Sequence, residues 1–442
     1  MFFLGHMEFL TAGLPDDIRR LVEIGDFSLA EKRIKKLLED ERLPDIVRER
    51  LLYELERLRR VRFDYSLRKE DALTMLKQEV RDFSEDDLRK WIEDGSIDFR
   101  LIDGEERFFR SFIPNLFRFN EDARKRRVKA EDRTDDRILI DHIKSVMRGE
   151  RKRARYRVMM EIRLKKQVEG TVRCWLPFPR PNEIQDGIKL ISAYPQGYLL
   201  ADEGSEQRTI YFEGNDVFRV EYEFRSSSRF PKVEPSSAEV DETLSRYLDE
   251  KPPHICFTYF LRRLSEEVTK GERNPYMKAK NIYKWIVKNV KYASAYEYST
   301  YENISEYTAR NLKGDCGMQA LLFITLARIS GVPAKWQSGW YVNPARANMH
   351  DWAQFHIRPY GWLHVDPSFG GHFPEYSDFY FGGIDEFRLV FNEDIQSEFT
   401  PKKRFIRSDP VDNQRGELEY EGGNLYYDSW GYEFRILSFS EE

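Results

Sequence analysis

A chain of 442 residues exceeds the roughly 100–200 residues of one domain and predicts about two to four domains. Hydrophobic residues make up 40% and charged ones 34%, with 31 Phe, 24 Tyr and 8 Trp, which excludes disorder throughout. Lys plus Arg number 72 against 77 Asp plus Glu, a net charge of −5, too balanced for a dedicated nucleic-acid or anionic-membrane binder. Residues 1–14 are apolar but short, lack a basic flank and carry His6 and Glu8, so they fit neither a signal peptide nor a membrane span, and no run of about 18 apolar residues follows. Three cysteines, at 174, 256 and 316, are too few for a disulfide framework or a four-cysteine zinc site. The expectation is a cytoplasmic protein.

From Asp16 to about Arg60 the pattern is helical. Ser28 is the expected N-cap of a helix with Ile34, Leu37 and Leu38 on one face, and Leu51, Leu52, Leu55 and Leu58 repeat the spacing in its partner. Residues 66–112 read helix, helix, hairpin: Leu67–Val80, then Ser84–Asp94 stopped at Gly95, then two short strands around Asp103-Gly104. That order resembles a winged helix. Its second helix carries five acids (Glu85, Asp86, Asp87, Glu93, Asp94) against Arg89 and Lys90, which would repel phosphates, so a packing or substrate-docking module is expected rather than a DNA reader. Residues 1–125 are taken as one helical domain. The stretch 126–154 mixes basic runs such as Arg151-Lys152-Arg153 with acids and reads as a solvated, charged linker helix, without the aromatic platform that nucleic-acid binding would use.

At Tyr156 the period becomes two. Tyr156, Val158, Met160, Ile162 and Leu164 alternate with charged residues, as do Phe218, Val220, Tyr222 and Phe224, and with 172–176 and 209–212 they predict an antiparallel β-sandwich over 155–232. Cys174 shares a face with Val172 and Leu176, and Cys256 sits beside Phe257, Phe260 and Leu261; both read as small buried hydrophobes.

Cys316 differs. It stands in Gly314-Asp315-Cys316-Gly317-Met318-Gln319, where a turn meets an apolar helix ending at Gly331 and Pro333. A thiol in a first helical turn meets free N–H groups and the positive end of the dipole, which favour thiolate and can hold an oxyanion. On this motif alone a packed cysteine and a nucleophile remain balanced. Residues 350–368 then form two aromatic-rich strands around a Pro359-Tyr360-Gly361 turn. With that loop, cross-strand partners sum to 720, so Asp366 faces Gln354 and lies four residues out of register with His350, on the same face. His350 would then act as base for Cys316, with Asp366 fixing the imidazole. His356 and His364 also sum to 720, so a metal site with His350 and Asp366 is a rival that leaves Cys316 idle. His142, His254 and His372 default to surface or loop roles. Trp336, Trp340, Trp352 and Trp362 are ordinary strand packing before they are a cleft wall.

Gly314-Asp315-Cys316-Gly317 with Ala320-Leu321-Leu322 and Gly331-Val332-Pro333-Ala334, then His350-Asp351-Trp352, then Gly361-Trp362 and Val365-Asp366-Pro367, together resemble the transglutaminase-like superfamily in its microbial form. The resemblance covers about residues 270–395, including Tyr380-Phe381-Gly382 to Arg388. It implies a papain-like core over 233–395, in which the cysteine helix packs on a small antiparallel sheet bearing histidine and aspartate, followed by a β-rich extension over 396–442. The expected fold class is thus α+β and multidomain. The resemblance assigns Cys316, His350 and Asp366 as the triad, and implies thioester chemistry on amide bonds of peptides or proteins. Hydrolysis is preferred, since nothing identifies an amine site. Cross-linking or deamidation by a protein-glutamine transglutaminase is the alternative, and a non-catalytic scaffold a further one. No cofactor or metal is implied: the calcium pattern Asp-x-Asp-x-Asp-Gly does not occur. Tyr292 and Trp285 are candidates for the oxyanion side chain. The expected partner is a peptide or protein substrate, with neither nucleic acid nor membrane, and the sequence is silent on oligomeric state.

Overall fold

A computed structural model of the chain describes residues 8–129 and 136–442; His6 and the rest of 1–7 lie outside it. The N-terminal part is built on helices α1 (Asp16–Ile24), α2 (Phe27–Leu38) and α3 (Asp45–Asp64). The cap of α2 is Asp26, whose side chain accepts the Leu29 N–H, so Ser28 falls inside the first turn rather than before it. α3 buries charge: Glu54 accepts from both Arg50 (2.9 Å) and Arg57 (2.6 Å), which lets all three leave water together.

Strand β1 (Leu67–Arg68) takes the first residues expected of a helix, and α4 (Lys69–Glu79) follows. α5 (Glu85–Glu93) opens with a reciprocal capping box, Ser84 Oγ accepting from Asp87 N–H and the Asp87 carboxylate from Ser84 N–H. Strands β2 (Phe99–Ile102) and β3 (Glu105–Phe108) turn at Asp103-Gly104, both left-handed at φ 52° and 82°, the conformation of a type I′ hairpin. The sheet order is β1-β3-β2, and α6 (Phe112–Phe119) and α7 (Glu121–Lys125) complete this unit.

Helix α8 (Arg137–Met147) lies in the stretch expected to be solvated. Its Leu139, Ile143 and Val146 are instead buried among the β-strands that follow, because they recur on one face of the helix beneath the charged residues that dominate the composition. Those strands are β4 (Arg153–Leu164), β5 (Val172–Pro177), β6 (Gln185–Tyr194), β7 (Leu199–Leu200), β8 (Thr209–Gly214) and β9 (Val217–Ser227).

The next part carries α9 (Tyr259–Val268), α10 (Pro275–Asn289), β10 (Lys291–Tyr292), α11 (Ile304–Asn311), β11 (Lys313–Gly314), α12 (Cys316–Ile329), β12 (Ala334–Asn343), β13 (Arg346–Ile357), β14 (Gly361–Val365), α13 (Pro367–His372), β15 (Phe381–Gly382) and β16 (Arg388–Asn392). Its sheet runs β15-β14-β13-β12-β16. α12 is apolar on every side and is buried from Cys316 to Arg328, packed between α9 to α11 and the sheet.

The chain ends in β17 (Glu417–Tyr420), β18 (Gly423–Leu425) and β19 (Trp430–Glu441). These do not form a separate extension. β19 pairs with β4 along its length, from Trp430 opposite Leu164 to Glu441 opposite Ala154, and β17 pairs with β5, giving sheets ordered β19-β4-β9-β6 and β18-β17-β5-β8-β7. Their partners β4 and β5 would otherwise present open edges. Both sheets share one apolar core with α8 and with Tyr341, Phe369 and Phe387 of the preceding part.

Candidate active site

Cys316 is the first residue of α12. Asp315 caps the helix by accepting from Met318 N–H (3.0 Å), and the Tyr298 hydroxyl donates to the same oxygen at 2.7 Å. Gly317 leaves room for this arrangement: a Cβ there would run into the Tyr298 hydroxyl, meet Asp351 Oδ2 at 2.7 Å and Trp336 at 2.8 Å. Cys316 is only 7% exposed, and its S–H donates to Asp351 Oδ2 at 3.3 Å. Burial, then the Asp351 and Asp315 carboxyls, push the thiol well above its ordinary value, outweighing the helix terminus expected to lower it.

His350 lies on β13 and Asp366 directly follows β14. The hairpin loop is Arg358-Pro359-Tyr360, with Ile357 paired to Gly361 and Gln354 to His364, so partners sum to 718 and not 720. This brings His350 and Asp366 to two residues out of register instead of four, and His350 Nε2 reaches Asp366 Oδ2 at 2.7 Å. The same oxygen accepts from Arg388 Nη1 at 2.8 Å, while Oδ1 accepts from Ser368 Oγ and Phe369 N–H, both at 3.0 Å. Burial alone would raise this carboxyl, but His350 and Arg388 hold it well below the usual carboxylate range. An ionised Asp366 accepts, so Nε2–H donates and Nδ1 is left as the basic nitrogen. Burial lowers the imidazole below its ordinary value despite the carboxylate.

A family model for the transglutaminase-like superfamily matches residues 262–367, the segment that holds Cys316, His350 and Asp366. This segment is a transglutaminase-like core. An uncharacterized protein of Haemophilus influenzae is 22% identical over 236 residues, 45% of this chain and 64% of that relative's length. Among solved structures, a protein provisionally named a cysteine protease from Cytophaga hutchinsonii is 16% identical, covering 66% of this chain and 92% of that one, with a TM-score of 0.43. The periplasmic domain of TgpA from Pseudomonas aeruginosa is 14% identical, covering 51% and 91%, with a TM-score of 0.30.

Within the transglutaminase-like core, His350 and Asp366 are in direct contact, whereas no hydrogen bond joins Cys316 to His350 among the described residues; the sulfur meets the neighbouring residue, Asp351. Sequence reasoning missed three members of the site. Asp351 stood inside the quoted His-Asp-Trp motif without a role. Arg388 is fully buried and clamps Asp366 and Asp385 (2.7 Å), sandwiched by Trp352 and Phe369. Gln414 donates to Asp351 Oδ1 at 2.7 Å and to the His350 carbonyl at 3.1 Å from beyond the core, where no local pattern marks it.

The remaining candidates separate cleanly. Tyr292 pairs in register with Gly314, two residues before the cysteine, and the Cys316 sulfur is the main influence raising its hydroxyl. Trp285 packs on the apolar core under α12. Trp336 and Trp352 are fully buried and Trp340 nearly so, which makes them core rather than cleft wall. The shifted register sets His356 opposite Trp362, and His364 is buried 3.3 Å from Glu183, so the rival metal set is not assembled; among the described residues no His, Cys, Asp and Glu group has metal-holding geometry. His142 is buried on α8 and bonds Glu386, against the surface or loop role expected, whereas His254 does lie in a loop but is buried there, accepting the Ile304 N–H. Cys174 is fully buried and Cys256 partly, both with thiols raised by burial, Cys256 to about 11. Among the described residues no helix is long and apolar enough to cross a membrane.

Proposed function

We propose that this chain is a cysteine-dependent acyl-transfer enzyme that hydrolyses amide bonds of peptides or proteins through a thioester on Cys316. The observation that carries the reading is the His350 Nε2 to Asp366 Oδ2 bond of 2.7 Å, which holds the imidazole with Nδ1 free, on the strand that also touches the Cys316 sulfur through Asp351. In this reading Cys316 Sγ attacks the substrate carbonyl while its proton passes to His350 Nδ1. The imidazolium then protonates the leaving amine, and a water deprotonated by the same nitrogen cleaves the thioester. Asp366, kept ionised by Arg388, stabilises the imidazolium. The Cys316 backbone N–H, at the start of α12, and the Tyr292 hydroxyl are the donors for the oxyanion.

The flanking parts fit a supporting role. Residues 66–112 are read as a winged-helix-like packing module, whose acidic α5 disfavours DNA, and strands β4 to β9 with β17 to β19 as a sandwich that shares its core with the catalytic sheet. Three unbonded cysteines suit a reducing compartment. The test is a peptide-cleavage screen run beside incorporation of a labelled primary amine into a Gln-containing protein, with wild type and Cys316→Ala. Cleavage that needs Cys316 supports hydrolysis; amine incorporation without cleavage favours a transglutaminase instead; neither, with Cys316 and His350 interchangeable with alanine in substrate binding, favours the scaffold.

A further inference from the structure

The Cys316 sulfur has a carboxyl neighbour that the hydrolytic scheme leaves unused. Asp351 is 5% exposed, lies on β13 directly beside His350, and points to the α12 side of the sheet. One of its oxygens receives the S–H hydrogen bond at 3.3 Å; the other is fixed at 2.7 Å by Gln414, whose amide is itself anchored on the carbonyls of Gly339 (2.9 Å) and His350 (3.1 Å). This is a prepared seat. The carboxyl cannot swing away from the sulfur without breaking the Gln414 bond, and the space beside it is so tight that a Cβ on Gly317 would lie 2.7 Å from Oδ2.

We propose that Asp351 is the proton partner of Cys316: thiol and carboxyl hold one proton between Sγ and Oδ2, and this sharing sets the pH at which the nucleophile becomes reactive. The proposal rests on Cys316 being the nucleophile. In one form Sγ–H donates to the carboxylate; in the other the S–H bond has broken, the O–H bond has formed, and the single negative charge has moved from oxygen to sulfur. The charge of the pair is the same in both, so the shift needs no external acid or base. Removing that shared proton would place two negative charges 3.3 Å apart in a buried site, which is strongly disfavoured.

The carboxyls facing Asp351 press in that direction, while the Cys316 hydrogen bond opposes them. Asp315 comes from the α12 cap, Asp409 and Asp412 from the segment before β17, and the hydroxyls of Tyr298 and Tyr292 from the loop and strand ahead of the cysteine; His350 adjoins it in the chain. Burial, then Asp412 and Asp315, raise the Asp351 carboxyl well above the ordinary carboxylate value, as expected for one member of a pair that shares a charge.

The test is the pH dependence of Cys316 alkylation by iodoacetamide, read by peptide mass on the full chain, for wild type, Asp351→Asn and Asp412→Asn. Asn keeps the shape and the Gln414 contact but carries no charge. Asp351→Asn is expected to move the midpoint down by about 1–3 pH units, about 10- to 1,000-fold faster alkylation at a pH below both midpoints, and Asp412→Asn to move it less. An unmoved midpoint in Asp351→Asn, or a shift no larger than that of Asp412→Asn, overturns the proposal. Independently of whether either variant folds, alkylating Cys316 in the wild type should change a carboxyl band in the infrared difference spectrum; an unchanged carboxyl region overturns it too. Retention of amide cleavage by Cys316→Ala would sink the nucleophile reading, and is distinguishable because the alkylation midpoints are read without substrate.

Discussion

Arg388 is the side chain whose loss the site should tolerate least. It is fully buried, donates to Asp366 at 2.8 Å and to Asp385 at 2.7 Å, and lies over the rings of Phe369 (4.6 Å) and Trp352 (5.2 Å). Arg388→Met retains much of the apolar stem and removes the charge. Asp366 keeps His350, Ser368 and the Phe369 N–H, whereas Asp385 keeps the Phe387 N–H at 3.0 Å, so one carboxylate is left buried with little compensation. Breaking a buried pair in this way costs about 3–5 kcal/mol. At about 2–4 °C per kcal/mol the melting temperature should fall by roughly 6–20 °C. Adding Asp385→Asn to the same chain neutralises the stranded acid and should recover about 1–3 kcal/mol. The sign with pH follows from Asp366, whose folded pKa is depressed. Its contribution is present above the unfolded value of about 3.9 and is lost as pH falls through the lower folded value, so the acid-induced loss of stability should be shallower in Arg388→Met than in wild type. Thermal and urea melts followed by near-ultraviolet circular dichroism measure all three. A single variant melting within about 2 °C of wild type, or a double variant less stable than the single, would refute the assignment of Arg388 as the clamp.

Further outcomes are expected from the same geometry. Under the hydrolytic scheme, His350→Asn should lower kcat by about 10²–10⁴-fold while a substrate-analogue dissociation constant stays unchanged; a comparable loss in binding would point to a structural role. Because burial lowers the His350 imidazole, the basic form is present above a value under the usual 6.5, so activity should rise with pH along an acid limb centred below that value; a limb centred above 7 would contradict it. Gly317→Ala drives a methyl into Tyr298, Asp351 and Trp336 and should destabilise by about 1–3 kcal/mol, with the larger loss in kcat because the displaced groups hold the cysteine; an active, equally stable variant would show the helix start to be loose. Tyr53→Phe removes the hydrogen bond to the Ser299 carbonyl (2.8 Å) and should cost about 0.5–1.5 kcal/mol in urea unfolding.

How far the sequence carried depended on the range of the interactions. Period-two alternation placed β4 and β9 to within a few residues, and the Ser84 box placed α5, because those signals lie in the residues that make the element. The helix start at Cys316 was equally local. The hairpin register was not: moving the loop by one position, from 359–361 to 358–360, shifts every partner sum by two and decides whether His350 can touch Asp366. Partners distant in sequence stayed hidden. Strand β19 is recognisable as a strand only weakly by alternation, and its pairing with β4, about 275 residues earlier, is fixed by tertiary burial that no window of sequence contains. Gln414 and Arg388 are invisible for the same reason, since a polar residue acquires meaning at a site only from what the fold puts beside it.

The N-terminal helices acquire a role through such contacts. The Tyr53 hydroxyl and the Arg57 guanidinium of α3 bond the carbonyls of Ser299 and Thr300, at 2.8 and 3.0 Å, and Asp64 at its end accepts the Glu297 N–H at 3.0 Å. Glu297 in turn pairs with Arg415 (2.8 Å), next to the Gln414 that holds Asp351. The turn thus fixed presents Tyr298 to Asp315, the cap of the cysteine helix. Both carboxyls that flank the sulfur are therefore braced from outside the transglutaminase-like segment: Asp315 through the 297–300 turn held by α3, and Asp351 through the chain that leads to β17. A core of residues 262–367 alone would retain Cys316, His350 and Asp366 but would lose Arg388, Gln414 and the α3 brace, which are the parts that fix the charge on Asp366 and the position of the thiol. The surrounding helices and sheets are thus part of the candidate site's rigidity, and the preorganisation that the proposed chemistry requires would come as much from them as from Cys316, His350 and Asp366.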